Sequence, residues 1–424
     1  MRSRIFASNV ALSLFVLGCG SSSSSNPAPQ DSGVAGDTSS ADTTTPVDST
    51  PSDSSPSEVD ASTTYPAFMP PRPKLVNVAT VISSPVFLPI FFSGDTEQSK
   101  LDGAISAFVA SKEWSGLGEY GVESATKKDA VALSSAAPTT TTNDDIVTFL
   151  QGELDGTHAE VGPVDATTLG SEILVLFYPK TTTITAFGGT LCASIGAYHS
   201  SAKLASGAVA QYVVIPRCAD ASDATGDTSA LDALSSMLGS AAADPLDGAG
   251  SPLGFNGFGK GFEAYTLGTG GEVGTACQFL DAITPPDLTF GITRQWSNAA
   301  SLGYHDPCLP TPDAGAYFTS VPITKDTLTD PTLGSVTGAK LSPTATIDVE
   351  LLSDAPTSGP WTVKAGSFAA PGLTFKLDTS TGTNGDVVHL TISGTTPSDA
   401  PVPFYVLSKL GTRSSVEFGL AGTK

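Results

Sequence analysis

The chain carries four histidines, His158, His199, His305 and His389, and no two stand at the short interval that sets a pair of metal ligands on one helical face. His199 and His305 each lie near a cysteine, where a histidine satisfied within the fold is expected rather than a metal ligand or a general base. Apart from Cys19, the cysteines form an even set, Cys192, Cys218, Cys277 and Cys308, with none of the C-x-x-C spacing of tetrahedral zinc sites. Disulfides are therefore expected; of the three connectivities open to four cysteines, nearest-neighbour pairing, Cys192 with Cys218 and Cys277 with Cys308, is the expectation. The acidic run Asp220, Asp223, Asp227 and Asp232 lacks the alternating ligands and glycine of a calcium loop and reads as a solvated loop. Gly257-Phe258-Gly259-Lys260-Gly261 lacks the full phosphate-loop pattern, and no G-x-S-x-G elbow is present, so nucleophilic hydrolase chemistry has little support.

The elements that must position these groups fall into two textures. Between Lys74 and Pro310, strand-length apolar runs (Val76 to Ile82, Val86 to Phe92, Ile173 to Tyr178, Tyr212 to Ile215) alternate with helical patterns. Leu101, Ala104, Ile105 and Phe108 share one helical face, and Thr141-Thr142-Asn143-Asp144 offers caps for a helix through Leu154. After Pro310 helical periodicity disappears. Short alternating runs (Thr346 to Leu352, Trp361 to Val363, Leu373 to Leu377, Val387 to Ile392, Phe404 to Leu407) separated by turns such as Thr383-Asn384-Gly385-Asp386 predict an all-β sandwich. The fold class is α+β: a mixed α/β core over residues 73–310, then a C-terminal β-sandwich over residues 311–424.

Ahead of both lies a different kind of sequence. Arg2 and Arg4 precede an apolar run from Ile5 to Gly18 that is too short to span a bilayer, as in an export signal over residues 1–18. Val16-Leu17-Gly18-Cys19 resembles the lipobox of bacterial lipoproteins, which implies acylation of Cys19; several acyl chains on one residue make a permanent anchor in a lipid bilayer. Gly20 rather than Asp after the cysteine favours the outer membrane of the cell envelope. Residues 19–72, rich in Ser, Thr, Pro and Asp, cannot bury enough apolar surface to fold and read as a disordered stalk. With 42 acidic against 20 basic residues and a formal charge of -22, the chain lacks the clustered Lys and Arg that nucleic acid requires of a partner.

Scattered landmarks carry a resemblance. Phe91-Phe92-Ser93-Gly94-Asp95, Trp114 with Glu119-Tyr120-Gly121-Val122, Tyr198-His199-Ser200, Tyr212 to Cys218, Asp244-Pro245, Gly271-Glu272-Val273-Gly274 with Cys277, and Trp296-Ser297-Asn298-Ala299 leading to Asp306-Pro307-Cys308 occur in an order similar to that of secreted bacterial proteins of the exordium, or phosphate-induced, family. The resemblance covers most of Lys74 to Pro310 and implies a zincin-like core. In that family the segment ahead of the Asp-Pro pair reads Ser-His-Glu-x-x-Glu-Ala-x-Thr-Asp-Pro. Residues four apart on a helix can ligate one metal while the adjacent glutamate acts as general base on a bound water. Counted back from Asp244-Pro245, the corresponding positions here are Ser236 for the histidine, Met237 for the glutamate and Ser240 for the second carboxylate. A hydroxyl is a poor zinc ligand and a thioether takes no proton, so the motif is degenerate. Glu272 survives as a carboxylate, expected to be a loop group accepting backbone hydrogen bonds.

These readings predict a surface lipoprotein with no cofactor and no metal, serving in binding, adhesion or envelope structure, with a protein or glycan ligand that the sequence does not identify. Trp361, Phe375, Phe404 and Tyr405 could serve a recognition face on the sandwich, although alternation makes most of them core. The alternative is a metal-dependent hydrolase with non-standard ligands, which requires at least three of His199, His305, Glu272, Asp244 and Asp306 to converge beside a cleft.

Overall fold

The computed structural model describes residues 64–424, apart from residues 159, 163–165, 194–195, 220–222, 312–314, 369 and 397–398. Cys19, the export signal, Asp220 and the stalk as far as residue 63 lie outside the described residues.

The core is built on one sheet. Its strands are β1 (Val86–Phe91), the short β2 (Thr126–Lys127) and β3 (Val131–Ala132), then β4 (Glu172–Tyr178), β5 (Tyr198–Lys203) and β6 (Val209–Pro216), in the order β2-β1-β4-β6-β5 with β3 also on β1. All pairings are parallel except that of the edge strand β5 with β6, where His199 faces Val213. The central strand β4 is buried at every position, as a strand covered by helices on both faces must be. Phe87, Phe91, Ile173, Val175, Phe177, Val213 and Ile215 point to one face, packed with helix α1 (Gln98–Val109) and helix α3 (Asp227–Ala243). Leu88, Ile90, Leu174, Leu176, Tyr212 and Val214 point to the other, packed with α2 (Asn143–Leu154). The buried stripe of α1 is the Leu101, Ala104, Ile105 and Phe108 set, and Thr142 closes a capping box with Asp145 at the start of α2. Both follow directly from spacing and cap chemistry.

The apolar run from Val76 to Ile82 does not join this sheet. Only Leu75–Asn77 is a strand, paired with Phe255–Phe258; beyond it Val78 and Ile82 donate to the carbonyls of Gly254 and Ala242. The run is held by a loop and a helix end rather than by a sheet partner, which apolar content alone does not distinguish.

The C-terminal part is a sandwich of two sheets. Strands β7 (Phe318–Ile323), β8 (Asp326–Asp330), β9 (Gly334–Lys340), β10 (Thr344–Ser353), β11 (Trp361–Gly366), β12 (Leu373–Leu377), β13 (Thr381–Gly382), β14 (Val387–Gly394), β15 (Val402–Leu410) and β16 (Arg413–Gly422) divide into a sheet ordered β7-β10-β14-β12 and another ordered β8-β9-β16-β15-β11-β13. Trp361, Phe404, Leu390, Ile392 and Leu351 fill the space between them. The core and the sandwich share apolar packing: Leu328, Val336, Phe418 and Leu420 belong to the same buried cluster as Phe258 and Tyr265, and Phe368 stacks between Phe279 and Tyr405 with centroids 4.5 Å away on either side.

Contacts with the fold are already made ahead of the expected stalk boundary at residue 72. Asn384 receives the backbone N–H of Ala67 and donates to the carbonyl of Thr64, Tyr304 donates to Pro70, and buried Arg72 pairs with buried Glu417 at 2.9 Å. Composition hid this docking, because its partners lie from 234 to 345 residues away in the sequence.

Cys192 is bonded to Cys218 and Cys277 to Cys308, the nearest-neighbour pairing. Bridges over 26 and 31 residues contribute about 2–4 kcal/mol each and belong to an oxidising, extracytoplasmic setting. Among the described residues no helix is long and apolar enough to cross a membrane.

Candidate functional site

Helix α3 is buried along almost its whole length because it lies between the sheet and the chain from residue 270 to 296. Its outer stripe, Ser235, Ser236, Gly239 and Ser240, is small, and that allows backbone to approach closely. The Ser236 hydroxyl donates to the Gly274 carbonyl at 2.8 Å, and the Gly274 N–H donates to Ser240 Oγ at 3.1 Å. One residue before Ser236, Ser235 Oγ accepts from the Thr293 N–H at 3.0 Å and its carbonyl receives Gln295 Nε2. Met237 is packed in the apolar core, 7 % exposed. Ser236, Met237 and Ser240 therefore do not fit a zinc ion: both hydroxyls hold the 272–274 turn against the helix, and the thioether packs.

The start of α3 is fixed by Asp223. Its carboxylate accepts from Thr225 Oγ1 and from the backbone N–H groups of Gly226, Thr228 and Ser229, the last two lying in the first turn, where helix N–H groups lack intrahelical partners. Burial opposes the charge, but these hydrogen bonds outweigh it and hold the pKa below 3.8. A depressed folded-state pKa gives a contribution present at neutral pH and lost as pH falls through the folded value. Asp223→Ala is expected to lower stability by about 1 kcal/mol at pH 7. In urea titrations at a series of pH values the gap from the parent should shrink below pH 3.8; a gap that persists at acid pH would contradict the assignment.

At the other end of α3 three donors meet. His199 lies on β5, Asp244 terminates the helix, and Glu272 sits in the turn after Gly270 and Gly271, whose φ angles are +88° and +77°. Their ligating atoms all lie within 4.8 Å of one another. His199 Nε2 is 3.2 Å from Glu272 Oε2, yet Glu272 Oε2 and His199 Nδ1 are both buried without an aligned hydrogen bond. Asp244 accepts from the Gly254 N–H at 3.2 Å and from Asn256 Nδ2 at 2.8 Å. Asp244 is fully buried, His199 is 8 % exposed, and only the Glu272 side chain, 19 % exposed, reaches solvent appreciably. Burial, with the nearby Glu272 charge adding to it, pushes the Asp244 pKa up to about 6. Burial works in the same direction on Glu272, but His199 and the Ser240 hydroxyl prevail and hold it below the ordinary value. For His199 the penalty of burying the imidazolium is outweighed by Glu272, so its pKa is raised.

Three of the five candidate donors thus converge, and two do not. His305 is exposed and pairs with Asp354, while Asp306 is held by Arg294 and the Cys308 N–H. The expectation of a satisfied His199 fails at its orphaned Nδ1, and Glu272 is partnered by side chains of His199 and Ser240 rather than by backbone. Asp227 pairs with Lys100 at 2.9 Å, so the acidic run is partly a helix start. A surface pocket of about 360 Å³, lined by Lys100, Ala104, Thr228, Leu231 and Phe290 among others, lies at the N-terminal end of α3, away from the three donors. On the sandwich, Trp361 and Phe404 are core, Phe375 packs on Phe404, and Tyr405 stacks on Phe368, so these aromatics form no exposed recognition face.

No protein-family model matches the chain, and no curated protein matches it. Among solved structures, slight likenesses occur to the M4 domain of titin, 8% identical over 26% of this chain and 98% of that one with a TM-score of 0.17, and to a twitchin kinase fragment with immunoglobulin domains from C. elegans, 14% identical over 25% and 20% with a TM-score of 0.16. A third is to the GAE domain of GGA2p from Saccharomyces cerevisiae, 9% identical over 26% and 88% with a TM-score of 0.14. At these TM-scores none carries an argument about this chain.

Proposed function

We propose that the chain is a cell-envelope lipoprotein, tethered to the outer membrane through acyl chains on Cys19, whose zincin-like core is a non-hydrolytic scaffold for binding or for envelope structure. The observation that carries this reading is the use of Ser236 and Ser240: both hydroxyls are engaged by Gly274, and the turn's backbone occupies the space beside the helix that a catalytic metal and its water would need. The two disulfides support an extracytoplasmic location. The mixed sheet, with α3 following its last strand and ending at Asp244-Pro245, supports the zincin-like reading of the core.

A second reading, a metal-dependent hydrolase, is favoured by the convergence of His199, Asp244 and Glu272. Turnover of casein and of a quenched fluorescent peptide by the full chain, with zinc present, separates the two. The scaffold reading expects a rate equal to buffer alone, in the parent and in Glu272→Gln. Turnover by the parent that is lost in Glu272→Gln would replace the first reading with the second.

A further inference from the structure

We propose that His199, Asp244 and Glu272 form a structural binding site for one divalent transition-metal ion of the zinc class, joining strand β5, the end of helix α3 and the 270–274 turn. This goes beyond the scaffold reading and departs from the absence of a metal expected from sequence, because the donors are not the motif positions 236, 237 and 240.

Spacing is the first argument. Ligands bonded to one such ion at about 2.0–2.2 Å stand roughly 3.0–3.5 Å from each other. His199 Nε2 and Glu272 Oε2 are 3.2 Å apart without hydrogen-bond alignment, and the Asp244 oxygen completes a set spanning no more than 4.8 Å. The separation of the His199 and Glu272 atoms matches that between two ligands of one ion.

Charge is the second. Two carboxylates, one fully buried and one 19 % exposed, share a single imidazole, and among the described residues no Lys or Arg forms an ion pair with either. An imidazolium would leave the cluster at a net charge of about -1, a costly state to bury; a neutral imidazole with a divalent ion brings it to zero. The buried Glu272 Oε2, which has no aligned hydrogen bond, then gains a bonding partner.

The third is support from behind. Gly254 and Asn256 orient Asp244, and Ser240 holds Glu272 while itself fixed by Gly274, the kind of outer contacts that set ligands in place. The imidazole selects a transition metal over calcium or magnesium, which prefer oxygen donors alone.

The full chain, stripped with a chelator and titrated with zinc chloride by calorimetry at neutral pH, is expected to bind one equivalent, with Tm rising by several degrees and calcium giving no such rise. His199→Gln is expected to weaken zinc binding by about 100-fold or more, while His305→Gln leaves it unchanged. Should His199→Gln fail to fold, Glu272→Gln, at the most exposed of the three, gives the same comparison. Cobalt absorption bands in the visible, present in the parent and absent in the variant, report the ligand set directly. Absence of a one-equivalent zinc isotherm, or binding undiminished in both variants, overturns the site. Either result is independent of whether the chain hydrolyses peptides.

Discussion

Replacing Arg72 with alanine is expected to lower the unfolding free energy by about 3–5 kcal/mol, the range for breaking a buried ion pair from one side. Arg72 is 6 % exposed and its partner Glu417 1 % exposed; the same carboxylate also receives hydroxyls from Tyr265, Tyr317 and Thr319. Truncation leaves that carboxylate buried and without the Arg72 guanidinium. The pair itself is imperfect, since Arg72 Nε and Nη1 are buried without partners. Replacing both members by apolar residues, Arg72→Met with Glu417→Leu, is therefore expected to recover most of the loss. Urea unfolding of the two single variants and the double variant measures this. A loss below about 1 kcal/mol in Arg72→Ala would mean that residues before Pro73 contribute little to the fold.

Gly274→Ala is the second large effect. A Cβ at 274 would stand 2.0 Å from the Ser236 carbonyl oxygen, 2.6 Å from its carbon and 2.7 Å from its Cα. These are backbone atoms inside a buried helix and cannot rotate away, so the turn must lift from α3. That movement breaks the Ser236 to Gly274 and Gly274 to Ser240 hydrogen bonds and carries Glu272 away from His199. The expected loss is about 3 kcal/mol, at the upper end for overpacking. Gly103→Ala in α1 serves as the contrast: nothing lies within 4 Å of its Cβ, and the helix should gain up to about 1 kcal/mol. Thermal unfolding of the two variants checks the pair. Stability of Gly274→Ala within about 1 kcal/mol of the parent would show that the helix and the turn are not tightly joined.

Local chemistry made part of this structure legible in advance. Alternation placed five of the ten sandwich strands, the 3.6-residue period placed the buried face of α1, and the cap residues Thr141 to Asp144 marked the start of α2, because each signal acts over a few neighbouring residues. The site was legible only as its parts. His199, Asp244 and Glu272 come from a strand, a helix end and a turn, and what brings them together is the crossing of α3 with the 270–274 turn. The one signal of that crossing in the sequence is the small-residue stripe of α3 facing Gly274. Arg72 and Glu417 left no local signal at all, and a segment with the composition of a stalk proved to be docked.

The motif positions on α3 hold the fold together, while the donors capable of holding a metal stand at its end. Anomalous difference maps from crystals of the zinc-treated full chain, recorded on either side of the zinc absorption edge, distinguish the two sets of positions. One peak bounded by His199, Asp244 and Glu272 is expected, with none in bonding reach of the Ser236 and Ser240 hydroxyls. A peak coordinated by those serines, or an empty map around His199 at saturating zinc, would contradict it.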